Sequence, residues 1–197
     1  MFSTKLSKGM FSITKEDPGS DFKRLNQIHS NIVMNSKNIQ ETPQEADGMV
    51  SFWNESPIKL AIKTADCLPI VMIGKNGVAH LHAGWRGLSS KIYQHKLIEE
   101  IEPIEYYIGP HIKDCCFEVQ SDFLANFPND KELFLKKNDK IYFSLTKKAQ
   151  KDLEYLYPKI KGSIAKECTC CAREFFSYRR DATAQRNWNL YQYTSNL

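Results

Sequence analysis

The chain has 197 residues, 42% hydrophobic and 25% charged, a globular balance that excludes a disordered or fibrous protein and favours one domain. Twenty-seven Lys and Arg against twenty-three Asp and Glu leave a net charge of +4, too mild to point to nucleic acid. Six cysteines and five histidines are the scarce residues with chemistry to offer.

The opening segment, Met1 to Asp21, alternates polar and apolar residues without a continuous apolar stretch, so it does not read as a secretory signal. The longest apolar run, Leu68 to Ile73, contains Pro69 and is far too short to span a membrane. A cytoplasmic location is expected, with the cysteines reduced and available for metal or catalysis. Lys59 to Thr64, Ile70 to Ile73 and Val78 to His82 read as short strands. A loop is predicted at Asp66-Cys67-Leu68-Pro69, because proline cannot donate to a central ladder. On the third strand, alternation puts Val78, His80 and His82 on one face and Ala79 and Leu81 on the other. Ser89 or Ser90 is placed to cap a helix through Ile92, Leu97 and Ile101, ending at Pro103. Ser121 caps a second through Phe123, Leu124 and Phe127. Leu145, Ala149, Leu153 and Leu156 mark a third at helical spacing before Pro158. Asp181 caps a fourth through Trp188. No repeat or linker interrupts this order, so the expectation is a single α/β or α+β domain over residues 1–197, its sheets covered by helices.

Three segments look unlike ordinary packing. Lys63-Thr-Ala-Asp-Cys-Leu-Pro69 sets Asp66 beside Cys67 in a loop. In His80-Leu-His-Ala-Gly-Trp-Arg-Gly87, two imidazoles precede a turn whose glycines permit close approach of a ligand. Cys168-Thr-Cys-Cys171 is followed by Phe175-Phe-Ser-Tyr-Arg-Arg-Asp181. A Cys with histidines can be a nucleophile and its base, or ligands of a metal with an open position, and His29 is a candidate third ligand. Thiolate and imidazole suit zinc and also copper. The dispersed spacing equally allows a buried apolar Cys and hydrogen-bonded core histidines. Cys115-Cys116 and the Cys168–Cys171 cluster argue against a structural zinc by spacing, since adjacent cysteines rarely face one ion and C-x-C lacks the usual gap. Inert thiols are expected there, with a redox pair as the alternative. Arg86, Arg173, Arg179, Arg180 and Arg186 fall in or after these segments and suit an anionic or phosphate-bearing substrate.

Taken together and in order, TADCLPI, HAGWRG, IGPHIKDCCFEV and CTCC…FFSYRRD resemble the YfiH/DUF152 family, labelled polyphenol oxidase or laccase-domain proteins and regarded as purine nucleoside phosphorylases. The matching blocks run from about His29 to Arg186. The resemblance implies a compact domain layered α/β/β/α, with zinc, or copper in its place, held by His29, Cys67 and His82. It implies phosphorolysis of adenosine, inosine and methylthioadenosine, with adenosine deamination as a second reaction. The partners it implies are purine nucleosides and phosphate, with no nucleic acid, no membrane, and a monomer or homodimer. By the same resemblance, Cys67, His82, Asp66 and Arg86 are catalytic candidates. Lys5, Gln27, His80, Cys115, Cys116 and Arg179 are substrate-binding candidates. The family's opening Ser-Thr-Arg stands here as Ser3-Thr4-Lys5, which keeps the charge but loses the planar fork. The family's insert before the Q-x-H block is largely gone, giving a shortened N-terminal region. Ala184-Gln185-Arg186 replaces Thr-Gly-Arg, and His80 stands where a small apolar residue is usual.

Other functions remain distinguishable. A multicopper oxidase needs a His₂Cys site and a separate imidazole-rich trinuclear cluster, and five histidines, one of them His95 in a helix, cannot supply both. A Cys–His hydrolase or amidase, with Cys67 attacking and His82 as base, fits the family's association with peptidoglycan-precursor editing. A non-catalytic zinc-stabilised module is the third reading.

Overall fold

A computed structural model describes residues 2–40, 42, 44–55 and 57–193. The hairpin β1 (Phe2–Lys5) and β2 (Met10–Thr14) is followed by β3 (Lys23–Arg24), β4 (Val33–Asn35), β5 (Gly48–Phe52), β6 (Lys59–Thr64), β7 (Leu68–Gly74) and β8 (Gly77–Ala83). Two short helices, α1 (Trp85–Ser89) and α2 (Lys96–Glu100), lead to β9 (Pro103–Ile108), β10 (Glu118–Val119), β11 (Phe134–Lys137) and β12 (Lys140–Phe143). Last come α3 (Leu145–Leu156), β13 (Lys161–Ile164), α4 (Tyr178–Asp181) and β14 (Asn187–Gln192).

The strands form a five-stranded sheet in the order β1-β2-β14-β6-β3, a six-stranded sheet β13-β9-β7-β8-β5-β4, and a small sheet β10-β12-β11. The two large sheets stack face to face, burying Phe11, Leu60, Ile62 and Tyr191 of one against Met49, Val71, Ile73 and Val78 of the other. The opposite face of the six-stranded sheet presents Val50, Ile70, Met72, Ala79 and Leu81 to Leu88, Ile92, Ile98, Leu145, Ala149 and Leu153. Both faces of β7 and β8 are therefore covered, which is why those strands read as unbroken apolar runs. Each large side chain so buried contributes about 1.5–3 kcal/mol. The mixed α/β domain is as expected, and the helices α1 to α3 gather on one side of the sheet pair. No helix among the described residues is long and apolar enough to cross a membrane.

Several local expectations change. Pro69 lies within β7, not in the preceding loop, and pairs with His82. Its carbonyl accepts from Gly109, beyond the last paired residue of β9, while His82 N–H turns to Asp47 O; the missing proline donor has no strand partner to lose. The helix expected from Ser89 to Ile101 is divided, because Lys91 adopts a left-handed φ of +53° and the His95 ring caps α2 by accepting from Leu97 N–H. Residues Ser121–Asn126 form a 3₁₀ helix with no side-chain cap. Helix α3 matches its pattern and starts at a Ser144 cap. The helix expected after Asp181 is absent: α4 ends there at Ala182, φ +48°, and Trp188 lies in β14. Asn187 and Asn189 point inward on that strand, where their amide NH₂ groups donate to Thr64 and, for Asn187, Phe176, so its polar inner face hides the strand pattern.

His111 fixes the end of β9 to the start of α3. The ring is fully buried, with Nδ1 on Gly109 O at 2.7 Å and Nε2 on Thr146 Oγ1 at 2.6 Å. Burial, helped by the Lys113 charge, pushes its pKa down from 6.5 to about 3, so it is neutral in the fold. Between those values the unfolded chain binds the extra proton, so stability falls as pH drops below about 6.5. We expect the wild type to lose about 2 kcal/mol more than His111→Gln between pH 7 and pH 5, measured by urea unfolding. Equal losses in the two proteins would contradict this.

Candidate metal centre

Ala65, Asp66 and Cys67 join β6 to β7. Asp66 holds a left-handed φ of +94°, a strained conformation for a non-glycine residue that turns the chain sharply. Its buried carboxylate fixes the turn by accepting from Thr169 Oγ1 at 2.6 Å, Ser177 Oγ at 3.0 Å and Arg179 N–H at 2.7 Å. The next side chain is Cys67. His82 stands near the end of β8 with 3% of its surface exposed, while His29 comes from an exposed loop with φ +61°.

One carboxylate organises both imidazoles. Asp47, fully buried just before β5, receives His82 Nδ1 at 2.7 Å. It also accepts the backbone N–H groups of Ile28, His29 and Ser30 and the Ser30 hydroxyl, at 2.6–3.3 Å. The rings of His29 and His82 meet edge to face at 4.8 Å, and the ligand atoms of His29, Cys67 and His82 all lie within 4.8 Å of one another. Because Nδ1 of His82 is taken by Asp47, Nε2 is left to face the group.

Electrostatics bind these residues together. Burial opposes ionisation of Asp47, but its bonds to His82 and Ser30 outweigh that and hold it at about 2. Burial likewise raises the Cys67 thiol, yet the His82 charge and hydrogen bonds from His29 and His82 bring it down to about 6. Burial alone would lower His82, and the Cys67 thiolate and Asp47 lift it to about 9. Both shifts run against burial and favour charge on the two groups, and a metal bound at His82 Nε2 would take the place of its proton. A soft sulfur and two imidazoles with one side open are a fitting donor set for zinc, and for copper.

A family model described as multi-copper polyphenol oxidoreductase laccase matches residues 11–191. The chain belongs to that family. Among its relatives, a purine nucleoside phosphorylase of Aquifex aeolicus is 33% identical over 81% of this chain and 77% of its own. The Escherichia coli protein named purine nucleoside phosphorylase YfiH is 31% identical over 82% and 70%. The Neisseria meningitidis DUF152 protein NMB0706 superposes with a TM-score of 0.76 at 30% identity, covering 88% of this chain and 75% of that one.

Within this laccase-like family chain, the expected residues separate into two groups. His29, Cys67 and His82 are brought together, their ligand atoms within 4.8 Å of one another. Arg86 is exposed on α1, its guanidinium stacked 4.7 Å over Trp85, and has no ion pair among the described residues. The others do different work. Asp66 spends its carboxylate on the 169–179 segment and so positions Cys67, the next residue. Both ends of the Gln27 amide clamp the Lys63 backbone, at 2.7 Å each, and tie the His29 loop to β6. His80 is fully buried between the sheets against Phe11, and burial pushes its pKa down to about 3; it is a neutral core residue closed to substrate. Lys5 is exposed on edge strand β1, three strand steps from β6, or roughly 14 Å. Arg179 reaches the carbonyls of Cys116 and Glu118 and stacks over Phe117. Cys115 and Cys116 gather with Cys168 and Cys171. Asp47 is the residue that sequence reading misses; its signal is a carboxylate directly before the strand Gly48–Phe52.

Gly84, just before α1, touches the site from the other side. A Cβ there would lie 3.1 Å from Cys67 Sγ and 3.3 Å from His29 Cδ2. Its backbone, φ −72° and ψ 174°, suits any residue, so Gly84→Ala tests crowding alone. Stability should change by about 1 kcal/mol or less, while metal affinity falls. Unchanged affinity in a zinc titration would show that the ligands yield freely.

Proposed function

We propose that the chain is a zinc-dependent purine nucleoside phosphorylase of the cytoplasm, acting on adenosine, inosine or methylthioadenosine, with adenosine deamination as a second reaction. The observation that carries this reading is the convergence of His29, Cys67 and His82 under one buried carboxylate, in a chain whose relatives bear the phosphorylase name. In phosphorolysis a phosphate oxygen bonds to the anomeric carbon as the glycosidic C–N bond breaks, and the purine leaves with that electron pair and gains a proton. When bound to the triad, zinc supplies a Lewis acid. Asp47 holds His82 in one tautomer and orientation, and Cys67 enters as thiolate at neutral pH. Arg86, two residues after the Gly84 that touches the triad and without an ion pair among the described residues, is assigned to position the phosphate. Phosphate-dependent release of free purine, assayed under anaerobic conditions alongside metal content, tests the reading. Turnover that required oxygen and copper would overturn it. The histidine positions already weigh against the oxidase: His80 and His111 are buried and His95 caps α2, leaving two imidazoles at the centre.

A Cys–His hydrolase is favoured by one observation, the order Cys67, His82, Asp47, which repeats the nucleophile–base–carboxylate logic. Activity that survives chelation and is lost on thiol alkylation would select it over the phosphorylase.

A further inference from the structure

We infer that Cys115, Cys116, Cys168 and Cys171 form a second metal site, a tetrathiolate zinc that pins two loops together beside the candidate centre. Their four sulfurs all lie within 4.8 Å of one another. Cys116 and Cys171 are 3.3 Å apart, Cys115 and Cys116 3.7 Å, and Cys115 and Cys171 3.8 Å. A tetrahedral zinc with bonds of about 2.3 Å separates its sulfurs by about 3.8 Å, so the cage already has the right size. An iron–sulfur cubane would hold its cysteines much farther apart. None of the six cysteines is in a disulfide.

The spacing objection dissolves once the participating residues are known. The pair from the second loop is Cys168 and Cys171, separated by the two residues usual for zinc, with Cys170 between them outside the four-sulfur group. A turn with Cys171 N–H and Ala172 N–H both on Cys168 O brings the two thiols to one side. Lys113 N–H donates to Cys168 Sγ at 3.3 Å, the kind of backbone bond that stabilises a thiolate ligand. Four thiolates and Zn²⁺ leave a double negative charge. Lys113 precedes the first cysteine pair and the Arg179 guanidinium is held on the carbonyls of Cys116 and Glu118, while Cys115 and Cys171 at the surface leave an entry path.

The placement gives the site a purpose. Cys115 and Cys116 follow β9, and Cys168 and Cys171 follow β13, its parallel neighbour. Among the described residues the two loops meet at the isolated backbone bridge His111 to Cys168, to which the Lys113 and Arg179 side chains add bonds to Ala165 O and to the carbonyls of Cys116 and Glu118. Between Cys168 and Arg179 lie Thr169, Ser177 and the Arg179 amide, the three donors that hold the strained Asp66 turn next to Cys67. A metal here would brace that turn from outside without touching substrate. The inference stands independently of the reaction proposed above.

Metal content by mass spectrometry on the zinc-supplemented full-length protein tests it, together with thiol titration. We expect two zinc per chain in the wild type, one in His82→Ala, and one in Cys168→Ser/Cys171→Ser. Unfolding in chelator should release six reduced thiols. In His82→Ala, four of the six should resist alkylation until zinc is removed. A His82→Ala protein that retains no zinc and whose thiols all alkylate freely overturns the inference, whatever the wild-type total and whether or not the serine variant folds. So does iron in place of zinc at the cluster, or a count of four reduced thiols, which would mark a Cys116–Cys171 disulfide.

Discussion

Cys67→Ala is expected to strip the metal from the triad and to lower phosphate-dependent purine release about a thousandfold or more. The scale follows from the Lewis acid, worth several kcal/mol of transition-state stabilisation, with every 1.4 kcal/mol or so giving a factor of ten. The loss should fall on kcat, with urea stability little changed, because Cys67 occupies a loop and the folded chain keeps Asp66 with its three donors. His82→Ala should behave alike toward metal, but it also leaves the buried Asp47 carboxylate short of its principal partner and will be less stable. Zinc content and nucleoside turnover measured on the same preparations decide the matter. Full activity in Cys67→Ala would reject the site.

Asp47→Ala should do the widest damage of any single change. It removes one acceptor from His82 Nδ1, from three consecutive backbone amides and from a hydroxyl, in a position with no exposed surface. Stranding such groups costs about 3–5 kcal/mol. The His29 loop, which owes its left-handed bend to these bonds, then loses its geometry. Asp47→Asn keeps the volume and part of the bonding but not the charge. We expect it to fold, and to bind zinc about 10–100-fold more weakly, as partners of metal-ligating histidines generally do when changed. Urea unfolding for the alanine variant and calorimetric zinc titration for the asparagine variant supply the two readouts. Wild-type zinc affinity in Asp47→Asn would mean that the carboxylate is structural only.

Legibility differed by physical kind. Helix α3 shows in the sequence because it buries apolar side chains at its own period, and β6, β7 and β8 show as short, nearly continuous apolar runs. The metal triad is different: residue chemistry nominated Cys67 with His29 and a neighbouring histidine, and only the family resemblance chose His82 over His80. Strand alternation places those two on one face, and what separates them is depth. His80 sits midway along β8 under Phe11, whereas His82 lies near the strand end beside the Asp66 turn. Asp47 and β14 escaped for a common reason. Each sets buried polar groups where a pattern reader expects apolar ones, and their partners are dozens to more than a hundred residues away. Adjacent cysteines misled in the opposite direction, since a turn after Cys168 and a second loop create the cage that linear spacing seemed to forbid.

The five-stranded sheet imposes an order on assembly. Strand β14 lies between β2 and β6, with Tyr191 opposite both Phe11 and Leu60. During synthesis on the ribosome the β1–β2 hairpin is made first, yet its place in the sheet does not exist until residues 187–192 have emerged. The six-stranded sheet has no such dependence on the late strand, and its central strands β7 and β8 are joined by a tight turn. Folding should therefore proceed from that sheet outward, with the hairpin waiting as a loose arm whose apolar face is open to chaperones or to another chain's β14. A sequence segment that looked like a fourth helix is thus the strand on which the hairpin's place in the sheet depends.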